Sequence, residues 1–114
     1  MKFTERLRDS KQFSDVYQNG RSKANRYLVM YIRENDKAIN RFGISVSKKV
    51  GNSVVRHRCK RLLRESYRLH ENMFNSGLDI AVVVRGSASA VSYKEMESAL
   101  MHLMRLHRIM KPGS

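Results

Sequence analysis

Hydrophobic spacings in the order helix, strand, strand, helix, strand, helix predict an α+β domain of α-β-β(-β)-α-β-α order, with helices packed on a central, mostly antiparallel sheet. Three observations carry this reading. Residues 26–33 (RYLVMYIR) and 41–47 alternate apolar and small or polar side chains with period two, and residues 78–84 (LDIAVVV) form a nearly unbroken apolar run of strand length. Residues 53–73 and 92–110 instead repeat apolar positions three and four apart, as amphipathic helices do.

Taken in order, residues 1–8 are polar and basic, offer only Phe3 and Leu7 for packing, and are expected to lie as an extended arm against the domain. Asp9 or Ser10 can cap a short helix whose Phe13, Val16 and Tyr17 fall at i, i+3 and i+4, and Gly20 ends it. In the first strand Leu28, Met30 and Ile32 face one way and Tyr27, Val29 and Tyr31 the other. A polar turn at 35–40 leads into the second strand, with Phe42, Ile44 and Val46 on its apolar side and Gly43, Ser45 and Ser47 opposite, so a hairpin is expected. Residues 78–84 read as a central strand buried on both faces that admits a parallel partner. A small-residue loop follows. Ser92 and Glu95 fit a capping box opening the last helix, which packs through Met96, Leu100, Leu103 and His107, with Met104 and Met110 at its margins. Residues 111–114 are expected to fray.

The helix between the strands is the distinctive piece. In KKVGNSVVRHRCKRLLRE (residues 48–65), Gly51 and Asn52 sit where a helix should start, and helical spacing places Val55, Cys59, Leu62, Ser66, Leu69 and Met73 in one apolar stripe, widened by Leu63. Arg56, Lys60, Arg61, Arg64 and Arg68 occupy the other side. No acid interrupts residues 48–64, so these charges repel one another until an anion arrives. Across the chain 23 Lys and Arg oppose 10 Asp and Glu, a formal charge of +13, which points to nucleic acid. No apolar run approaches the roughly 20 residues of a membrane-spanning helix. Residues 1–9 (MKFTERLRD) also lack the apolar core of a signal peptide, so a soluble, cytoplasmic protein without a membrane partner is expected.

A groove for single-stranded nucleic acid is also predicted. Gly43, Ser45 and Ser47 leave a shallow floor beside Val29 and Tyr31, which Phe13 and Tyr17 can wall, and aromatic faces beside cations suit stacked bases. Nothing here resembles a nuclease centre. Asp9, Asp15, Asp36 and Asp79 are scattered over different elements, His57 has no second histidine to work with, and Cys59 is expected to be a small buried hydrophobe. His102 and His107 are expected as surface or packing residues; no catalytic residue and no metal ligand is assigned.

Lys49, Gly51 and Asn52, then Arg56, Arg58, Lys60, Arg61, Arg64 and Glu65, resemble the RNR motif of the protein subunit of bacterial ribonuclease P. Phe13 and Tyr17, ANRYLVMY at 24–31 and GISVSKKVGN at 43–52 follow in that family's order and spacing, so the resemblance spans nearly the whole chain. One position departs: His57 stands where the family usually has Asn. The resemblance implies a left-handed crossover through the basic helix, and a catalytic RNA subunit that performs the chemistry with magnesium while the protein binds no cofactor. It further implies that Lys49, Asn52, Arg56, Arg58, Lys60, Arg61 and Arg64 dock the catalytic RNA. Phe13, Tyr17, Val29 and Tyr31 would hold the 5′ leader of precursor tRNA, with Arg56 and His57 at the mouth of the groove. Glu65 would pair with Arg61 or Arg68, or contact a hydrated metal on the RNA. A ribosomal or general RNA-binding protein is the alternative that charge and size allow.

Overall fold

The computed structural model describes residues 4–111. Its elements are β1 (Thr4–Arg6), α1 (Ser10–Asn19), β2 (Arg21–Ala24), β3 (Leu28–Glu34), β4 (Asn40–Ser45), α2 (Ser53–His70), β5 (Leu78–Val84) and α3 (Tyr93–Leu106). The five strands form one sheet in the order β1-β4-β5-β3-β2. Its longest register, β3 with β5, is antiparallel, as is β2 with β3, whereas β4 runs parallel to both β5 and β1. Among the described residues no helix is long and apolar enough to cross a membrane.

The sheet corrects the expected hairpin. β3 and β4 do not pair; β5 lies between them and is in register with both. Six of its seven residues are buried, and an edge position would leave that apolar strand with a row of unpaired amides. The 35–40 turn therefore spans β5 rather than closing a two-strand ribbon. The Asn35 N–H donates to the Gly77 carbonyl, and the Asn35 side-chain amide bridges to the Ile39 carbonyl and the Asp79 carboxylate.

Residues 4–7 and Lys111 are held more firmly than expected. The arm supplies β1, which pairs with Asn40–Phe42, and Leu7 beyond it is buried. Lys111 donates its N–H to the Met73 carbonyl, next to a bridge between Phe74 and Met110. Residues 1–3 and 112–114, including Phe3 of the arm, lie outside the described residues. The optional strand of the expected order is β2, which follows α1 directly after Gly20. A Cβ at Gly20 would lie 2.5 Å from the Val16 carbonyl oxygen and 2.8 Å from that of Ile32, so close backbone approach explains this glycine.

Leu28, Met30 and Ile32 of β3 and Phe42 of β4 face the core beneath α2 and α3, as the alternation implies. Tyr27 departs from it: the ring packs on the core and its hydroxyl donates to Glu95 of α3. In α2 the buried stripe is rotated toward Leu63 and Tyr67, leaving Leu69 55% exposed. Tyr67 decides that rotation. Its ring stacks on Phe42 at 4.2 Å, and its hydroxyl meets Thr4 Oγ1 at 2.8 Å and the Asn40 amide at 3.3 Å. Such a ring pair contributes about 0.5–1.5 kcal/mol beyond the area it buries. Cys59 is buried on the same face, and burial pushes its thiol up. α3 begins with the expected Ser92–Glu95 capping box. It ends in a Schellman turn, with Arg108 N–H bonded to the Arg105 carbonyl and Ile109 N–H to that of Met104. Arg108 occupies the left-handed position at φ 56°, where glycine is usual and a side chain costs about 1 kcal/mol. His107 just before it is buried, with Nε2 3.0 Å from the Met30 carbonyl; burial pulls its imidazole below the ordinary value.

One buried ion pair fixes β4 to β5. Arg41 donates through Nε and Nη2 to the two oxygens of Asp79 at 2.7 and 2.6 Å, and Asn35 adds a third bond. Burial raises the Asp79 carboxyl, but the Arg41 and Asn35 bonds outweigh it and hold the group below the usual carboxylate range. The pair's stabilisation is therefore complete above the ordinary aspartate value and lost as pH falls through the lower folded one. Arg41→Ala would leave a carboxylate that is 1% exposed without its charge partner, and is expected to cost about 3 kcal/mol, read as a lower urea midpoint.

Candidate nucleic-acid interface

Because β5 is in register with both neighbours, the sheet face away from α2 and α3 is built in rows. Ser22, Tyr31, Ala81 and Gly43 form one row; Ala24, Val29, Val83 and Ser45 form the next. Most of these side chains are small, and the result is a low platform across four strands. α1 crosses it, seating Val16 against Leu7 and Ala81, with Phe13 and Tyr31 packed on that cluster. Asp9 caps α1 in a reciprocal box with Gln12, which fixes the helix start and hence the positions of Phe13 and Tyr17.

Three rings line the junction of helix and platform. Phe13 and Tyr17 are 6.0 Å apart, and Tyr17 meets Tyr31 edge-on at 4.8 Å. Tyr17 remains 36% exposed, so its ring is available to a ligand. Partial burial pushes its hydroxyl above the ordinary phenol value, keeping it neutral. Phe13, Tyr17, Val29 and Tyr31, the four groove residues picked from the sequence, thus share one face. The floor also includes Ala81 and Val83 of β5 and Ser22 and Ala24 of β2, which sequence reasoning missed. Ala81 carried a faint signal, as the one small side chain in an otherwise bulky run.

Cations line the neighbouring cleft between β1, α1 and α2. One part, about 490 Å³, lies against Arg8, Phe13, Tyr17, Ser45 and Lys60; an adjoining part, about 260 Å³, lies against Arg6, Phe13, Gly43, Lys60 and Arg64. Arg6, Arg8, Lys60 and Arg64 enter no ion pair among the described residues. Burial, and after it the neighbouring Arg6, lower the Arg64 guanidinium from its ordinary value. Arg6 and Arg8 belong to the arm, and only its pairing with β4 brings them here.

α2 distributes its charges over three directions. Helical spacing puts Arg56, Lys60 and Arg64 in one row toward the cleft, His57, Arg61 and Arg68 on the outer crest, and Arg58 on the far flank beside Glu65 and Leu69. The cleft linings include Lys60 and Arg64 but neither Arg56 nor His57, the two residues expected at the mouth. Both lie a full turn nearer the helix start. Asn52 caps α2, its Oδ1 accepting the Val55 N–H at 3.0 Å, so its amide NH2 is what it can offer a ligand. Lys49 is exposed in the preceding turn. Glu65 pairs with Arg68, not Arg61, through bonds of 2.5 and 3.2 Å that hold its carboxyl below the usual range. Among the described residues no three His, Cys, Asp or Glu side chains cluster as metal ligands would.

The sequence profile of the family described as Ribonuclease P matches residues 1–108. The chain belongs to this family. The ribonuclease P protein component of Lachnoclostridium phytofermentans is 60% identical over 106 residues, covering 93% of this chain and 91% of that relative. That of Alkaliphilus metalliredigens is 50% identical over 105 residues, covering 92% and 95%. Among solved structures, the RNase P protein of Staphylococcus aureus superposes with a TM-score of 0.86 at 33% identity, covering 93% of this chain and 97% of that one. The Thermotoga maritima protein gives 0.82 at 31%, covering 90% and 96%.

Gly43 sets the depth of the groove. A Cβ at this position would lie 2.5 Å from Phe13 Cζ and 2.6 Å from Leu7 Cβ. Gly43→Ala is expected to push the Phe13 ring off the platform and to cost about 1–3 kcal/mol, seen as a lower thermal midpoint with displaced Phe13 ring resonances by NMR.

Proposed function

We propose that this chain, as the protein subunit of the tRNA 5′-processing ribonucleoprotein ribonuclease P, divides two RNA contacts between two surfaces. The crest and cleft side of α2, through Arg56, Lys60, Arg61 and Arg64 with Lys49 and Asn52 at its entrance, docks the catalytic RNA mainly through phosphates. Arg58, on the far flank, extends that contact around the helix. The Phe13–Tyr17–Tyr31 platform with Val29 takes the single-stranded 5′ leader of precursor tRNA, its bases on the rings and its phosphates on the cleft cations, with Arg56 and His57 beyond its α2 end. The observation that carries this reading is the join itself: clustered aromatic rings and a small-residue floor open directly onto four cations that enter no ion pair among the described residues.

The consequence for the reaction is selectivity. A leader-binding groove offers the precursor an interaction that the mature product lacks, so substrate is favoured over product. Hydrolysis belongs to the RNA subunit and its magnesium ions. Neutralising RNA backbone charge beside that centre lowers the magnesium concentration the holoenzyme needs.

The direct test is cleavage of a 5′-extended precursor tRNA at low magnesium by a bacterial ribonuclease P RNA, with and without this chain. Cleavage at the mature 5′ end that requires the protein, with none from protein alone, is the expected result; RNA binding without rescue would remove the processing role. Tyr31→Ala is expected to weaken precursor binding by the assembled enzyme by about 1–3 kcal/mol, leaving mature tRNA binding nearly unchanged. Equal losses for the two RNAs would take the leader off this platform.

A further inference from the structure

The platform does not stop at the rings. β2 is an edge strand with all four residues exposed. Ser22 and Ala24 continue the platform rows, while Arg21 and Lys23 alternate to the other face. At the Arg21 end two concavities of about 630 and 460 Å³ share Arg21 and Glu34. Arg21, Lys37, Arg108 and Lys111 border the larger, against Glu34 and Asp36, and Arg33 borders the smaller. Among the described residues none of these side chains enters an ion pair. The basin is therefore a second cationic surface, at the opposite end of β2 from the Ala24–Val29 row.

Its construction argues against an incidental charge excess. Lysine and arginine on an edge strand can serve only to discourage sheet-to-sheet pairing, which would account for Arg21 and Lys23. Arg108 and Lys111 lie beyond α3 and cover no edge. A cation also suits a helix C-terminus, yet Arg105 meets that preference with ordinary helical backbone. Arg108 instead holds a left-handed position that glycine fills more easily, and Asp36 and Gly77 on the same rim also have positive φ. Of these three left-handed positions, Arg108 adds a cation to the rim of the basin and Asp36 an acid.

We propose that the β2 edge and this basin bind the upstream part of long 5′ leaders, past the nucleotides held on the aromatic platform. The inference rests on the leader-binding reading above. Contact is through phosphates, since lysine and arginine dominate the surface and no aromatic side chain borders the basin. Strand β2 supplies the path, from Ala24 beside Val29 to Arg21 beside Ile32.

The test compares two precursor tRNAs on the reconstituted holoenzyme, one whose leader only fills the platform and one extended upstream by several nucleotides. Arg108→Gly suits the backbone, and it is combined with Arg21→Ala and Lys111→Ala. The variant is expected to lose several-fold in affinity for the long leader and little for the short one. It is also expected to flatten the salt dependence for the long leader alone, by about 0.7 for each phosphate no longer neutralised. Unchanged long-leader binding would overturn the proposal. Equal losses for both leaders, or weaker assembly with the catalytic RNA, would overturn it too, by giving the basin to the RNA subunit. Tyr31→Ala on the short leader reads the platform separately, so a failure of the basin leaves that reading standing.

Discussion

The position of β5 is the constraint from which the rest follows. A seven-residue strand buried on both faces has to lie inside a sheet, and taking that place forces β3 and β4 apart. It also makes β4–α2–β5 a crossover between parallel neighbours, which lays the cationic helix along the sheet instead of projecting it into solvent. The same strand contributes Ala81 beneath α1. A larger side chain there would lift the helix and separate Tyr17 from Tyr31. Core and interface are thus two sides of one strand.

α2 reconciles opposing demands. Its buried side closes the core through Cys59, Leu63, Ser66 and Tyr67, and its exposed side concentrates positive charge with little compensation. The repulsion is tolerable because the helix is anchored at several points along its length: Asn52 caps its start, Tyr67 stacks and hydrogen-bonds near its end, and His70 meets Glu97 of α3 at 3.0 Å. Glu65 is partly consumed by Arg68, so it softens the field on the crest and leaves the cleft row untouched.

Much of this was legible in the sequence because it is local. Caps at Asp9, Asn52 and Ser92, the alternation of Leu28, Met30 and Ile32, and the apolar run of β5 are governed by neighbours a few residues away. Alternation grouped Val29 with Tyr31, though it also put Tyr27 on that face, and helical spacing set Phe13 and Tyr17 on one side of α1. What escaped depends on long-range pairing. Nothing near residues 35–40 reveals that a strand from residue 78 onward will enter between their flanks, and without that insertion Val83 and Ala81 cannot be placed in the floor. Arg6 and Arg8 were hidden for the same reason, as their position comes from a parallel pairing with a strand more than thirty residues away. Tyr67 displaced Leu69 from the buried stripe because a partner ring and two polar partners outweigh simple helical spacing.

β1 has a consequence for how firmly the cleft is walled. Among the described residues it is held at the margin of the sheet by three parallel residue pairs, the Leu7 N–H bonded to the Phe42 carbonyl, the buried Leu7 side chain and the Thr4–Tyr67 hydrogen bond. Short edge strands open at far lower free energy than the core. Arg6 and Arg64 border the same part of the cleft, so under the proposed function a phosphate seated between them would favour closure of β1. On the reading proposed above, the wall and its anion would complete each other, and β1 would be the part of the fold whose closure is coupled to binding.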